Sequence, residues 1–323
     1  MSKAVITGIG MLFGDGKTPE EFCDLVVNGE SAISISEMPQ YKRKGLNFAD
    51  SFTKKVCFTA EKAIEDSGAE LSEELCRNTG VFLGTSFGNL KSIMDFETKY
   101  FRKGIKGITP TIFSNTVMNT TAGQVAISFG FSGMNMTESS GSSAGAEALL
   151  CCADMIESGR VDAAVAGGAE EYCGMYGGYM ADYNVAVSDG FCEFYIENSE
   201  RAMRRNADVY CEIMGGRTMY SYDLSSEDVR DNISAALKDA GCTKDDIGMV
   251  ISCGSMRDIE NTALDNLKIT DNRIDMYKST GELYGAGVPF GMICAMVVAE
   301  KRIPVLINSV GFDGYISSIL ICR

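Results

Sequence analysis

The run Thr137-Glu138-Ser139-Ser140-Gly141-Ser142-Ser143-Ala144-Gly145 joins an apolar, strand-like stretch to a long helix-like one. Small residues at such a junction mark a tight turn of the kind on which enzymes place nucleophiles, and Ser142 is the candidate. A serine hydroxyl is protonated near neutral pH and attacks only with help from a base. The chain has no histidine. That absence removes Ser–His and Cys–His mechanisms within the chain and leaves carboxylates, lysines and cysteines to move protons. Glu282 serves as the base if burial raises its pKa, and Lys278 if burial lowers it. Either Ser142 attacks a substrate with such help, or the turn has kept its shape and lost its chemistry.

The elements that must position these residues alternate between two periodicities. KAVITGIG (3–10) reads as a buried strand and PEEFCDLVVN (19–28) as a helix closing on Gly29. FTKKVCFTAEKAIEDSG is amphipathic at helical spacing and stops at Gly68, VFLGTSFG (81–88) is a strand with a small-residue turn, and DAAVAGG (162–168) is another strand. The second half replays the order. SEDVRDNISAALKDAG ends at Gly241, MVISCGS (249–255) matches VFLGTS, and PVLINSVG (304–311) matches DAAVAGG. Met136–Ser142 aligns without a gap on Met276–Glu282, ahead of a second small-residue-rich helix. Four matches in one order predict a layered α/β fold of two duplicated βα halves about a pseudo-twofold axis, residues 1–187 and 188–323. Ser142 and Glu282 then both sit at helix N-termini, facing each other, where free amides favour negative charge.

Composition narrows the partners. A net charge of −15 argues against nucleic acid, because phosphate binding needs clustered cations. Lys42-Arg43-Lys44 and the Arg201–Arg205 run are read as solvated loop charge. No apolar run approaches the roughly eighteen residues of a membrane span, and the opening residues do not read as a secretion signal. The twelve scattered cysteines without a CxxC pair predict free thiols in a reducing cytoplasm, with no metal site and no cofactor. Cys151, Cys152 and Met155 read as helix packing, and GGAEEYCGMYGG (167–178) as a flexible loop near the cleft.

Over nearly its whole length the chain resembles the β-ketoacyl-carrier-protein synthases of the thiolase fold, a resemblance that implies the layering α-β-α-β-α. The resemblance rests on VITGIGMLFG, NTTAGQVAISFGFSG (119–133), GRVDAAVAGGAEE (159–171), KSTGELYGAG (278–287, like KSxxGHxxGAAG) and NSVGFDGY (308–315, like the NSFGFGG turn that carries Gly311 and Phe312). The family joins acyl chains with a cysteine nucleophile and two histidines. Carried across, the cysteine falls on Ser142, one histidine on Glu282 and the other on Cys253 in SCGS, while Lys278 keeps the family's lysine. The stretch SDGFCEFYIENSE (188–200) is contracted, and so is CGSMRD (253–258), which stands for the loop that grips a phosphopantetheine arm.

The resemblance implies a chain-length-factor-like subunit. Such a subunit pairs with an active ketosynthase, shapes its acyl tunnel and meets acyl carrier protein mainly through that partner. Family dimers join through the strand before the nucleophile, here containing Met136, Thr137 and Glu138. Phe113, Val117 and Met118 fall where the family lines its tunnel. Two further readings are an acyltransferase or hydrolase that uses Ser142, and a homodimeric scaffold without chemistry.

Overall fold

A computed structural model describes residues 3–33, 35–37 and 40–323. Its strands are β1 (Ala4–Leu12), β2 (Thr79–Gly84), β3 (Asn135–Glu138), β4 (Ala163–Glu170), β5 (Gly190–Asn198), β6 (Cys211–Tyr220), β7 (Met249–Ser252), β8 (Arg273–Asp275), β9 (Pro304–Val310) and β10 (Tyr315–Cys322). Its helices are α1 (Pro19–Asn28), α2 (Ser51–Ser67), α3 (Glu73–Arg77), α4 (Leu90–Lys103), α5 (Pro110–Ser114), α6 (Thr120–Phe129), α7 (Ala144–Glu157), α8 (Gly174–Ala181), α9 (Ser199–Arg204), α10 (Ser226–Asp239), α11 (Arg257–Leu267), α12 (Met276–Thr280) and α13 (Gly287–Val298).

The strands are ordered β3-β2-β4-β5-β1-β6-β10-β9-β7-β8. Read outward from the middle, β1-β5-β4-β2-β3 and β6-β10-β9-β7-β8 are one order, shifted by five strands. The sense of pairing also repeats. β2 runs parallel to β3 and β4, with β5 antiparallel to β4 and β1. Likewise β7 runs parallel to β8 and β9, with β10 antiparallel to β9 and β6. The halves join along β1 and β6 through Val5↔Glu212 and Ile6↔Cys211.

The layers follow from which helix faces are apolar. α13, GVPFGMICAMVV, is apolar all round and buried from Gly287 to Met296, so it lies inside. It shares the central core with α7, between the two halves of the sheet. α2 and α6 cover the outer face of the first half, and α10 and α11 that of the second. The sequence ends these helices where it should. Thr18 and Ser225 form capping boxes on α1 and α10, and Gly29 and Gly68 close α1 and α2 in the left-handed conformation.

Four sequence expectations change. β5, which the reading by sequence assigned to the second half, pairs with β4 and β1 and so completes the first; we propose the division after Asn198 rather than at 187/188. Residues 174–181 of the Gly-rich stretch form α8 rather than a loop. Arg201 and Arg205 are not solvated loop charge, because both pair with the fully buried Glu197, and Arg205 also donates to the Ser67 carbonyl at 2.7 Å. The ungapped match of Met136–Ser142 to Met276–Glu282 breaks after the strands. β3 runs almost directly into a 3-10 turn, Gly141–Ser143, and α7. β8 is followed by the extra helical turn α12 before a 3-10 turn, Tyr284–Ala286, and α13. By position ahead of its helix, Ser142 corresponds to Gly285.

Candidate active site

The two 3-10 turns pack against each other. Gly145 faces the Gly285 carbonyl so closely that a β-carbon there would overlap it, and Gly168 meets the same carbonyl from β4. Only hydrogen at both positions lets the elbows touch.

Ser142 is 2% exposed. Its amide donates to Asp313 Oδ2 and its hydroxyl to Asp313 Oδ1, each at 2.8 Å. Asp313 stands in the turn between β9 and β10, which closes with the Gly314 amide on the Gly311 carbonyl at 3.1 Å. A side chain at Gly311 would collide with the Ser142 hydroxyl, and one at Gly141 with the Asp313 carboxylate. The neighbouring Phe312 amide donates to the Ser255 hydroxyl at 3.0 Å. Both amides that could face an oxyanion at Ser142 are therefore engaged, one of them by an anion.

Glu282 is also 2% exposed. Its backbone is stitched to the 186–188 segment, with Glu282 N–H on the Ala186 carbonyl at 2.7 Å and Ser188 N–H on the Glu282 carbonyl at 3.2 Å. The Tyr284 amide donates to Oε1 at 3.2 Å. Burial pushes the carboxyl up to about 7; the Asp313 charge adds to the rise, and the Ser255 hydroxyl and the Ser255 and Tyr284 amides oppose it. Among the described residues no hydrogen bond joins Glu282 to Ser142. Beside Glu282, Tyr284 in a left-handed conformation (φ 44°) meets Phe87 edge-on at 5.0 Å, and Phe87 stacks on Tyr176 at 4.5 Å. These rings fill the space next to the carboxyl. Glu170, fully buried, accepts from the Ser86 and Phe87 amides at 2.8 and 3.0 Å, and burial pushes it up to about 7. Ser86 in turn donates to the Gly141 carbonyl at 2.8 Å, fixing the Ser142 turn from the β2 side.

The other candidates scatter. The Cys253 thiol lies in the central core against Gly291 of α13, and burial, followed by the Glu260 charge, raises its pKa well above the ordinary thiol value. It is an unreactive thiol there. Lys278 does not join the site: its side chain is exposed on α12, where its amide bonds the capping Asp275 at 3.1 Å. Met136, Thr137 and Glu138 lie half-buried on β3, an outer edge of the sheet, with Met136 Sδ 3.6 Å from Cys151 Sγ. Burial, and then Glu147, raise the Glu138 carboxyl. Met118 approaches Ser139 of that edge at 3.9 Å. Phe113 and Val117 are 57% and 41% exposed, outside the core. Gly311 is in the Ser142 site, and Phe312 is half-exposed at its rim.

Sequence reasoning did not single out Asp313, Tyr284 or Glu170. Asp313 had a visible signal, a carboxylate in a turn where the resembled family has glycine. Among the described residues no three His, Cys, Asp or Glu side chains are grouped to hold a metal ion, and no helix is long and apolar enough to cross a membrane.

Comparison with known proteins agrees with this architecture. The family model for the β-ketoacyl synthase N-terminal domain matches residues 36–208. The chain is 28% identical to the 3-oxoacyl-(acyl-carrier-protein) synthase 2 of Vibrio cholerae, covering 95% of this chain and 88% of that protein. It is 23% identical to the Staphylococcus aureus enzyme of the same name, covering 96% and 89%. Among solved structures, the ishigamide ketosynthase/chain length factor superposes with a TM-score of 0.87 at 16% identity, covering 100% of this chain and 99% of that one. A β-ketoacyl synthase from Burkholderia phymatum gives 0.84 at 18%, covering both chains fully. A structure of a type II PKS acyl-carrier protein in complex with its ketosynthase gives 0.86 at 18%, covering 100% and 99%. The fold is thiolase-like, and the chain belongs to the β-ketoacyl synthase family.

Proposed function

We propose that the chain is a ketosynthase-like subunit with no condensing chemistry of its own. In this reading it pairs with an active ketosynthase in fatty-acid or polyketide-type synthesis and shapes the tunnel that holds the acyl chain. The observation that carries the reading is the two-point hold of Asp313 on Ser142. Condensation builds negative charge on an enolate and on a tetrahedral oxyanion, and a site stabilises these with donors that are free to turn toward them. Here the Ser142 amide already serves a carboxylate, the former histidine positions hold a carboxyl and a core thiol, and no imidazole exists anywhere in the chain. The likeness to a ketosynthase/chain length factor structure supports the pairing, and the likeness to a ketosynthase held by its carrier protein supports carrier contact through the partner. Twelve unpaired cysteines suit a reducing cytoplasm.

One geometric fact favours a second reading. The Ser142 hydroxyl lies 2.8 Å from Asp313 Oδ1, within reach of a general base for acyl transfer or hydrolysis. One experiment separates the two. The purified chain is incubated with acyl and malonyl thioesters and followed by intact mass, then co-expressed with an active ketosynthase from the same organism. The proposed role gives no adduct, no extension and a stable heterodimer. A covalent acyl adduct that vanishes in Ser142→Ala establishes the second reading instead, and a stable homodimer that ignores the ketosynthase leaves the scaffold.

A further inference from the structure

Lys55 is a lysine with almost no access to water, 4% exposed, on the outer-layer helix α2. It binds two carboxylates, Glu171 at 3.0 Å and Asp189 at 3.6 Å. These two acids are the two ends of one segment, the connection from β4 to β5 that contains α8. Each end has a second anchor: the Ser51 hydroxyl donates to Glu171 at 2.7 Å, and the Ser36 amide to Asp189 at 2.5 Å. A buried cation is retained only where its partners surround it, so both ends are fixed at a single point.

The span between them has a different character. Its underside, Tyr176, Met180, Val185 and Val187, packs on Tyr284 with Phe87 and Leu90 alongside, and its backbone pairs with Glu282. Its outer surface exposes Met175, Tyr179 and Tyr183. At the crown the Tyr179 and Tyr183 hydroxyls meet at 3.2 Å, and the Tyr183 ring rests on Phe312 at 5.3 Å. Phe312 is the residue beside Asp313. The ends are held by buried charge, whereas the crown touches the β9–β10 turn that carries Asp313 through two half-exposed rings.

We propose that residues 171–189 are a strap over the Ser142 site, clasped at both ends by Lys55 and latched at the crown by Tyr183 on Phe312. The strap opens by releasing the latch while its ends stay in place, as loops that gate sites do. It covers the site whether or not Ser142 ever carries an acyl group, so this inference and the proposed function can fail separately.

The test places a reporter under the strap. In the full chain carrying Ser142→Cys, alkylation of the introduced thiol by iodoacetamide is followed by peptide mass spectrometry and compared with the same chain carrying Tyr183→Ala as well. Release of the latch raises the alkylation rate about tenfold or more, and amide exchange in 174–187 rises with it while α7 stays protected. A change below about threefold in alkylation overturns the strap. Lys55→Met supplies the second variant. If it folds, both ends of 171–189 gain exchange; if it does not, the Tyr183 pair alone decides. Equal exchange at the ends in a folded Lys55→Met chain overturns the clasp.

Discussion

Asp313 takes the Ser142 amide on one carboxylate oxygen and the Ser142 hydroxyl on the other, at 2.8 Å each, across the two halves of the chain. Removing the carboxylate leaves a buried amide and a buried hydroxyl without their acceptor. Asp313→Ala is expected to cost about 2 kcal/mol, the usual range for a lost charged hydrogen-bond partner, seen as a lower urea midpoint at unchanged slope. On the proposed function it is not expected to support condensation, because no imidazole takes the place of the lost acid. Malonyl extension by this variant alone would refute that account of the site.

Glu282 gives the chain a pH dependence of definite sign. Its carboxyl titrates near 7 in the fold against an ordinary value of 4.5. Between those values the folded chain holds a proton that the unfolded chain has released. The contribution is therefore complete below 4.5 and is lost as pH rises through 7. Glu170 adds a second loss in the same window. Glu282→Gln removes the first, so stability curves for the two proteins should diverge by up to about 3 kcal/mol between mildly acidic and mildly alkaline pH. Parallel curves would mean that Glu282 titrates normally.

The meeting of the elbows is tested by a single methyl group. At Gly145 a β-carbon overlaps the Gly285 carbonyl and crowds Pro289, so Gly145→Ala must part the two turns. A loss of several kcal/mol, on the order of 3, is expected from overpacking of this kind. Gly123, inside α6 with nothing near its missing side chain, is the control. Gly123→Ala should be neutral or stabilise by about 0.5–1 kcal/mol through helix propensity.

Phe113 and Val117 separate folding from pairing. Both are exposed, so glutamate at both positions should change stability by less than about 0.5 kcal/mol. If this face meets a ketosynthase, the double variant elutes alone in size exclusion with that partner while the unmodified chain elutes as a complex. Retention of the complex by the variant places the interface elsewhere.

The repeated order of strands and helices was legible because each element carries a strong local signature. The apolar run of β2, the Gly-ended α2 and the all-apolar α13 each announce themselves in sequence. The elbow offset was not, since Met136–Ser142 and Met276–Glu282 look collinear and only coordinates reveal that Met276–Thr280 coils into a helical turn. Lys278 misled for a related reason: a motif fixes a residue's place along the chain, not the direction of its side chain. Asp313 was readable as an oddity in NSVGFDGY but not as a ligand of Ser142, 171 positions away in sequence. Lys55 is one of two adjacent lysines in an amphipathic stretch, and nothing local marks which of the pair turns inward.

The seam between β1 and β6 consists of two residue pairs, where β1 and β5 run together along nearly their whole length. So thin a hinge cannot weld ten strands into one body. Cohesion comes instead from α7 and α13, each lodged against strands of both halves. The backbone crossing from α9 into β6 is accordingly dispensable as a tether: a molecule nicked by protease near Asn206–Ala207 should stay assembled as two non-covalently associated fragments and come apart only when its interior helices melt.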